Sequence, residues 1–193
     1  MRRITPLLLI PLLLLQLTGC RESHYEKGLI YLRQGRLDEA EAEFKEELRK
    51  SPSAKVYIAL ARVYMGKGEG GRAIDALKKA IELEPGSVEA HLLAAEVYLS
   101  RNQAELAMEM CLKAIELDPK NARALNLMGL AHLQRGRLAQ AEAKFKEAMR
   151  ADPKEVQSYL NLGGLYERTG RVDEAERVYS CLLYTSPSPR DRG

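Results

Sequence analysis

Two hydrophobic patterns divide the chain. From Ile4 to Leu15 apolar residues run on with only Thr5, Pro6 and Pro11 between them. From about residue 21 to about residue 180 apolar residues recur at helical spacing among charges of both signs, the pattern of amphipathic helices with one buried face. This second region also repeats itself. Lys79-Ala-Ile-Glu-Leu-Glu-Pro85 returns 34 residues on as Lys113-Ala-Ile-Glu-Leu-Asp-Pro119. Ala40-Glu-Ala-Glu-Phe-Lys-Glu-Glu-Leu48 returns as Ala141-Glu-Ala-Lys-Phe-Lys-Glu-Ala-Met149. Pro52, Pro85, Pro119 and Pro153 stand 33, 34 and 34 residues apart.

Residue types at equivalent places predict a pair of helices per unit. Small residues (Gly28, Ala61, Ala95, Gly129, Gly163) occupy the middle of the first helix, and others (Ala40, Ala73, Ala107, Ala141, Ala175) the start of the second. Small residues let two helices approach closely, and the bulky Phe44, Leu77, Cys111, Phe145 and Tyr179 fill the space beside them. Gly35, Gly68, Gly136 and Gly170, with Asn102 in the third unit, are placed to end the first helices in a left-handed conformation. The prolines lack a backbone donor and stop the second helices.

These positions resemble the tetratricopeptide repeat (TPR), a helix-turn-helix unit of 34 residues. The aromatic that follows the small residue is present as Tyr31, Tyr64, Tyr98 and Tyr166, with His132 a departure. The resemblance implies an all-α, right-handed superhelical solenoid of antiparallel helix pairs. It gives about four and a half repeats, with units near 21–53, 54–87, 88–121 and 122–155 and a fifth, at 156–180, cut short.

The leader is a different object. Arg2 and Arg3 precede an apolar run of twelve residues, which as a helix reaches about 18 Å, short of a hydrocarbon core of about 30 Å. It is therefore predicted to be a signal peptide, residues 1–19. Leu17-Thr18-Gly19-Cys20 resembles a bacterial lipobox. That resemblance implies cleavage before Cys20 and a covalent lipid on its thiol, with several acyl chains anchoring the domain. Arg21 stands where Asp would signal inner-membrane retention, so the periplasmic face of the outer membrane is expected if the source is Gram-negative. Ser23-His24-Tyr25-Glu26 reads as a capping box opening the first helix. Cys20, Arg21 and Glu22 then leave a tether of about 10 Å between lipid and fold.

Charge and composition sharpen this division. The 193 residues carry +3 overall, with three Cys and no Trp. Residues 20–180 hold equal numbers of acidic and basic side chains, so the excess lies in the leader and in residues 181–193. That tail, Cys-Leu-Leu-Tyr-Thr-Ser-Pro-Ser-Pro-Arg-Asp-Arg-Gly, interrupts the repeat pattern in mid-helix. It resembles the in-frame translation of a transposon-type sequencing adapter and is expected to be non-native. The array is expected to continue past Ser180 in the natural protein.

Candidate chemistry is sparse. His24, His91 and His132 fall in different units without ligand spacing. Cys111 takes a core position, which points to a buried thiol rather than a nucleophile. Gly66, Gly68, Gly70 and Gly71 lack the Lys-Ser/Thr of a phosphate loop. No basic stripe with interleaved aromatics suggests nucleic acid. The reading is of no enzyme, no metal, no cofactor beyond lipid on Cys20, and no small-molecule substrate.

In the repeat family the first helices line a concave face. Mapped onto this chain that face carries Tyr25, Leu29, Leu32, Ile58, Arg62, Met65, Leu92, Glu96, Leu99, Arg123, Asn126, Leu130, Leu133, Leu160 and Asn161. An apolar stripe of this kind suits an extended peptide or amphipathic helix, although any of its leucines reads equally as interhelical core. Asn126 and Asn161 are placed to bond a peptide backbone, and Arg62 and Arg123 to meet acidic partner residues. Tyr25 and Leu29 stand where a carboxylate clamp would have Lys and Asn, which disfavours that ligand. The expected function is a lipid-anchored adaptor binding a protein partner in a bacterial envelope. Pilus-biogenesis lipoproteins (pilotins) resemble it, and outer-membrane assembly or scaffolding of peptidoglycan enzymes fits equally. The alternative is the first part of a larger envelope enzyme or secretion component.

Overall fold

The computed structural model describes residues 23–185; the leader, Cys20 and the end of the tail lie outside them. Helices α1 (His24–Arg33), α3 (Ala54–Gly66), α5 (Val88–Ser100), α7 (Ala122–Gln134) and α9 (Val156–Arg168) are the first members of five pairs. Helices α2 (Leu37–Lys50), α4 (Gly70–Leu83), α6 (Ala104–Leu117), α8 (Leu138–Ala151) and α10 (Val172–Thr185) are the second.

The ends form as the residue types dictate. Ser23 Oγ accepts from the Glu26 N–H at 3.1 Å, Ser87 Oγ from Ala90 and Asn121 Oδ1 from Ala124, each opening a first helix. Every first helix closes through one left-handed residue: Gly35, Gly68, Asn102, Gly136 or Gly170. The next N–H then bonds back across the turn, from Arg36 to Tyr31 O at 2.9 Å and from Gln103 to Tyr98 O at 2.9 Å. Asn102 has φ 58°, so the one substitution in the series keeps the geometry.

Packing repeats with the same regularity. Each first helix packs on its own second helix, and each second helix on the next first helix. Successive first helices also touch, whereas among the described residues no second helix touches another. The first helices are thus crowded together inside the curve and the second helices splay outside it. Within a pair, the small residue receives a ring. A Cβ added at Gly28 would lie 2.5 Å from Phe44, and one at Gly129 would lie 2.5 Å from Phe145. Where alanine stands instead, at Ala61 and Ala95, the opposite residue shrinks to Leu77 or Cys111, and all four are fully buried.

The fifth unit forms a whole pair. Helix α10 has 14 residues, as do α2, α4, α6 and α8. Its described residues run through Cys181 to Thr185, a stretch that contains no helix breaker.

Candidate functional site

The predicted inner-face residues all lie on first helices, but the structure brings only some of them to an open surface. Tyr25, Leu29 and Leu32 of α1 meet Ile58, Ala59 and Arg62 of α3 in a cleft of about 440 Å³. Glu89 of α5 closes one side, and Arg33 and Lys55 add two cations. Lys55 Nζ stands 4.4 Å from the centre of the Tyr25 ring, a cation–π contact. Burial, then the charges of Glu26 and Glu89, push the Tyr25 hydroxyl pKa upward, so it remains a neutral donor. Arg33, Lys55 and Glu89 were not foreseen. Lys55 was legible in principle, since Lys55, Ile58, Ala59 and Arg62 follow the spacing of one helix face.

Several other expected groove residues are interior. Leu92 and Leu99 are buried in the core shared by α5, α6 and α7. Asn126 is only 3% exposed. Its Oδ1 accepts from Asn161 Nδ2 at 2.9 Å, so this pair ties α7 to α9 instead of presenting two free amides. Crowding of the first helices explains the difference, because a side chain facing the next first helix is covered by it. Ile58 is itself buried and forms the cleft floor. Met65, Leu130 and Leu133 are half-buried, packed against the core, and Leu160 is exposed.

The arginines are also engaged. Arg62 Nη2 donates to Glu89 at 2.6 Å, and Arg123 donates to Glu96 through Nε at 3.0 Å and Nη2 at 2.5 Å. Both pairs span 27 residues and clip one first helix to the next. Arg33 and Lys55 therefore hold the positive charge at the cleft that no carboxylate among the described residues takes.

Among the described residues no cluster of His, Cys, Asp and Glu is suited to a metal ion. Cys111 is buried, and burial pushes its thiol up to about 12, leaving no thiolate at neutral pH. Burial, with Arg137 and Lys144 nearby, holds the His132 pKa below the ordinary value.

The sequence matches, over residues 21–190, the family described as the cilia and flagella-associated protein 70 C-terminal domain, a TPR family. The chain belongs to this TPR family. Solved TPR structures share its fold. A MamA crystal structure is 25% identical, covering 81% of this chain and 92% of its own, with a TM-score of 0.70. The thermophilic TPR protein TTC0263 of Thermus thermophilus is 23% identical, covering 87% and 92%, with a TM-score of 0.73. PilF of Pseudomonas aeruginosa is 23% identical, covering 87% and 77%, with a TM-score of 0.75. No curated protein sequence matches the chain.

Proposed function

We propose that this TPR protein is an adaptor held at a bacterial envelope membrane by lipid on Cys20, taking a protein segment into the cleft between α1 and α3. The observation that carries this reading is the cleft itself. It is an open apolar trough, Tyr25, Leu29, Leu32 and Ile58, rimmed by Arg33 and Lys55. Such a surface suits a segment with apolar anchors flanked by acidic residues. Leu17-Thr18-Gly19-Cys20 supports the anchor. No helix among the described residues is long and apolar enough to cross a membrane. A pilotin-like role in pilus or secretion-complex assembly is the finer form of this proposal.

Two measurements test it. Metabolic labelling with an alkynyl fatty acid should mark the wild type and not Cys20→Ala; equal labelling removes the anchor. In cells, photo-crosslinking from position 29 should trap a discrete partner. Adding Leu32→Asp should reduce that yield at least tenfold without loss of helical circular dichroism, and unchanged yield removes the cleft.

A further inference from the structure

The helices of each pair run in opposite directions, so the connections of the array fall on two edges. Loops 51–53, 84–87 and 118–121, each leading from a second helix to the next first helix, lie along the edge where the first helices begin. Ser23 opens α1 at that same edge, so the chain leaves the fold toward Cys20 from there. Leu83 ends α4 and Leu117 ends α6, which brings both to this edge beside their loops. They are 53% and 46% exposed. The equivalent residues of the first and fourth units are Lys50 and Ala151, so the apolar patch belongs to the second and third units.

We infer that this edge docks on a lipid surface, with Leu83 and Leu117 entering the interface of the bilayer that holds the Cys20 lipid. Docking presupposes that anchor, and the length of chain between lipid and fold selects the surface. Cys20, Arg21 and Glu22 reach about 10 Å. The opposite edge, with the exposed Leu106 and Leu138, lies about 20 Å away along a first helix of 13 residues. The tether is too short to lay that edge on the bilayer. The open side of the first unit is within reach. Ile30 is exposed there, whereas its equivalents Val63 and Val97 are buried. Glu26 and Lys27 lie beside Ile30 at helical spacing, however, and their charges would have to be stripped of water on contact.

Charge at the docking edge is nearly balanced. Lys50, Lys55 and Lys120 stand there against Glu84 and Asp118, so attraction to anionic headgroups is small and burial of the two leucines supplies most of the contact. The tether supplies the rest of the bias. It holds the edge at high effective concentration beside the bilayer, so a contact too weak to recruit a free protein suffices. Docking also orients the inner cleft. Tyr25 and Lys55, near the starts of α1 and α3, come to lie close to the bilayer, and Leu32 and Arg33 at the end of α1 lie away from it. A partner segment in the cleft then runs outward from the membrane surface.

With no Trp in the chain, one introduced Trp reports alone. The chain from Cys20 onward holds every described residue. It can be coupled through Cys20 to a maleimide phospholipid in phosphatidylcholine vesicles with brominated acyl chains, after Cys181→Ser removes the exposed thiol. This attachment does not depend on lipidation in the cell, so fatty-acid labelling judges the anchor and bromine quenching judges the surface. Emission of Leu83→Trp and of Leu117→Trp should fall about twofold and shift to the blue. Emission of Leu106→Trp, about 16 Å from Leu117 along the same helix, should not change. High salt should leave the quenching in place, and circular dichroism checks each fold. Unquenched emission from Leu83→Trp and Leu117→Trp overturns the proposal. Stronger quenching in Ile30→Trp assigns the contact to the end of the array, in Leu112→Trp to its outer face and in Leu106→Trp to the opposite edge; each overturns it. Quenching that high salt abolishes assigns the contact to the lysines and overturns insertion of the leucines.

Discussion

The contact of a ring with a glycine sets the spacing of the first, fourth and fifth helix pairs. At Gly129 an added methyl meets the fully buried Phe145 ring, which has no free end to swing aside. Alanine gains about 1 kcal/mol in helix propensity there, but overpacking costs about 1–3 kcal/mol. Gly129→Ala should therefore lower the melting temperature, and adding Phe145→Leu should recover part of the loss. Ala141, buried at the start of α8, is constrained in the same way, and Ala141→Leu should cost about 1–3 kcal/mol in denaturant unfolding. The acidic nodes give a second prediction. Burial pushes the Glu41 carboxyl up, but hydrogen bonds from Lys45, Lys67 and Arg72 outweigh it and hold the pKa at about 2. Arg171 chiefly, with Lys146 and Tyr166 and against burial, holds Glu142 at about 2 as well. A carboxylate whose pKa is lowered by folding contributes stability that is complete above its unfolded value, about 4.3, and is lost as pH falls toward the folded value. Glu41→Gln and Glu142→Gln should each cost about 1–3 kcal/mol at pH 7, and the difference from wild type should close between pH 5 and pH 2.

Helix ends are the most legible feature at the next scale. Five first helices stop where glycine or asparagine was expected to allow a left-handed residue, and the hydrogen bond across each turn follows. Asn102→Ala should cost about 1 kcal/mol, because alanine keeps the Cβ but loses the short amide whose local hydrogen bonding makes the left-handed conformation tolerable, while Asn102→Gly should be neutral or slightly stabilising in the same unfolding assay. The pairing of small residue with ring was legible too, since the two change together from unit to unit. The open part of the inner face was not. Tyr25 and Leu92 hold equivalent places on their first helices, three residues before Gly28 and Ala95, yet Tyr25 lies in a cleft and Leu92 in the core. What separates them is the cover supplied by neighbouring units, which the periodicity of a single helix does not encode. The pairs Arg62–Glu89 and Arg123–Glu96 lie one unit apart, so they too appear only when the units are stacked.

Across the whole molecule, the two described cysteines report on different parts of the array. Cys111 is fully buried in the third unit and Cys181 is exposed on α10. With Cys20 replaced by serine, a thiol reagent should label Cys181 at once and Cys111 only as the centre opens. Prompt labelling of both would show the central units to be open in solution. The junctions themselves differ along the array. Carboxylate nodes join units one to two and four to five, whereas Ile74 and Met108 occupy the corresponding positions in the second and third units. Glu41 and Glu142 thus give the described array two acid-labile junctions, with no such carboxylate at the two corresponding positions between them. As pH falls toward 2 these junctions should loosen first, with amide exchange quickening in α1, α2, α9 and α10 ahead of α5 and α6. The inner cleft, built on α1, would come apart while the third unit stayed packed around Cys111.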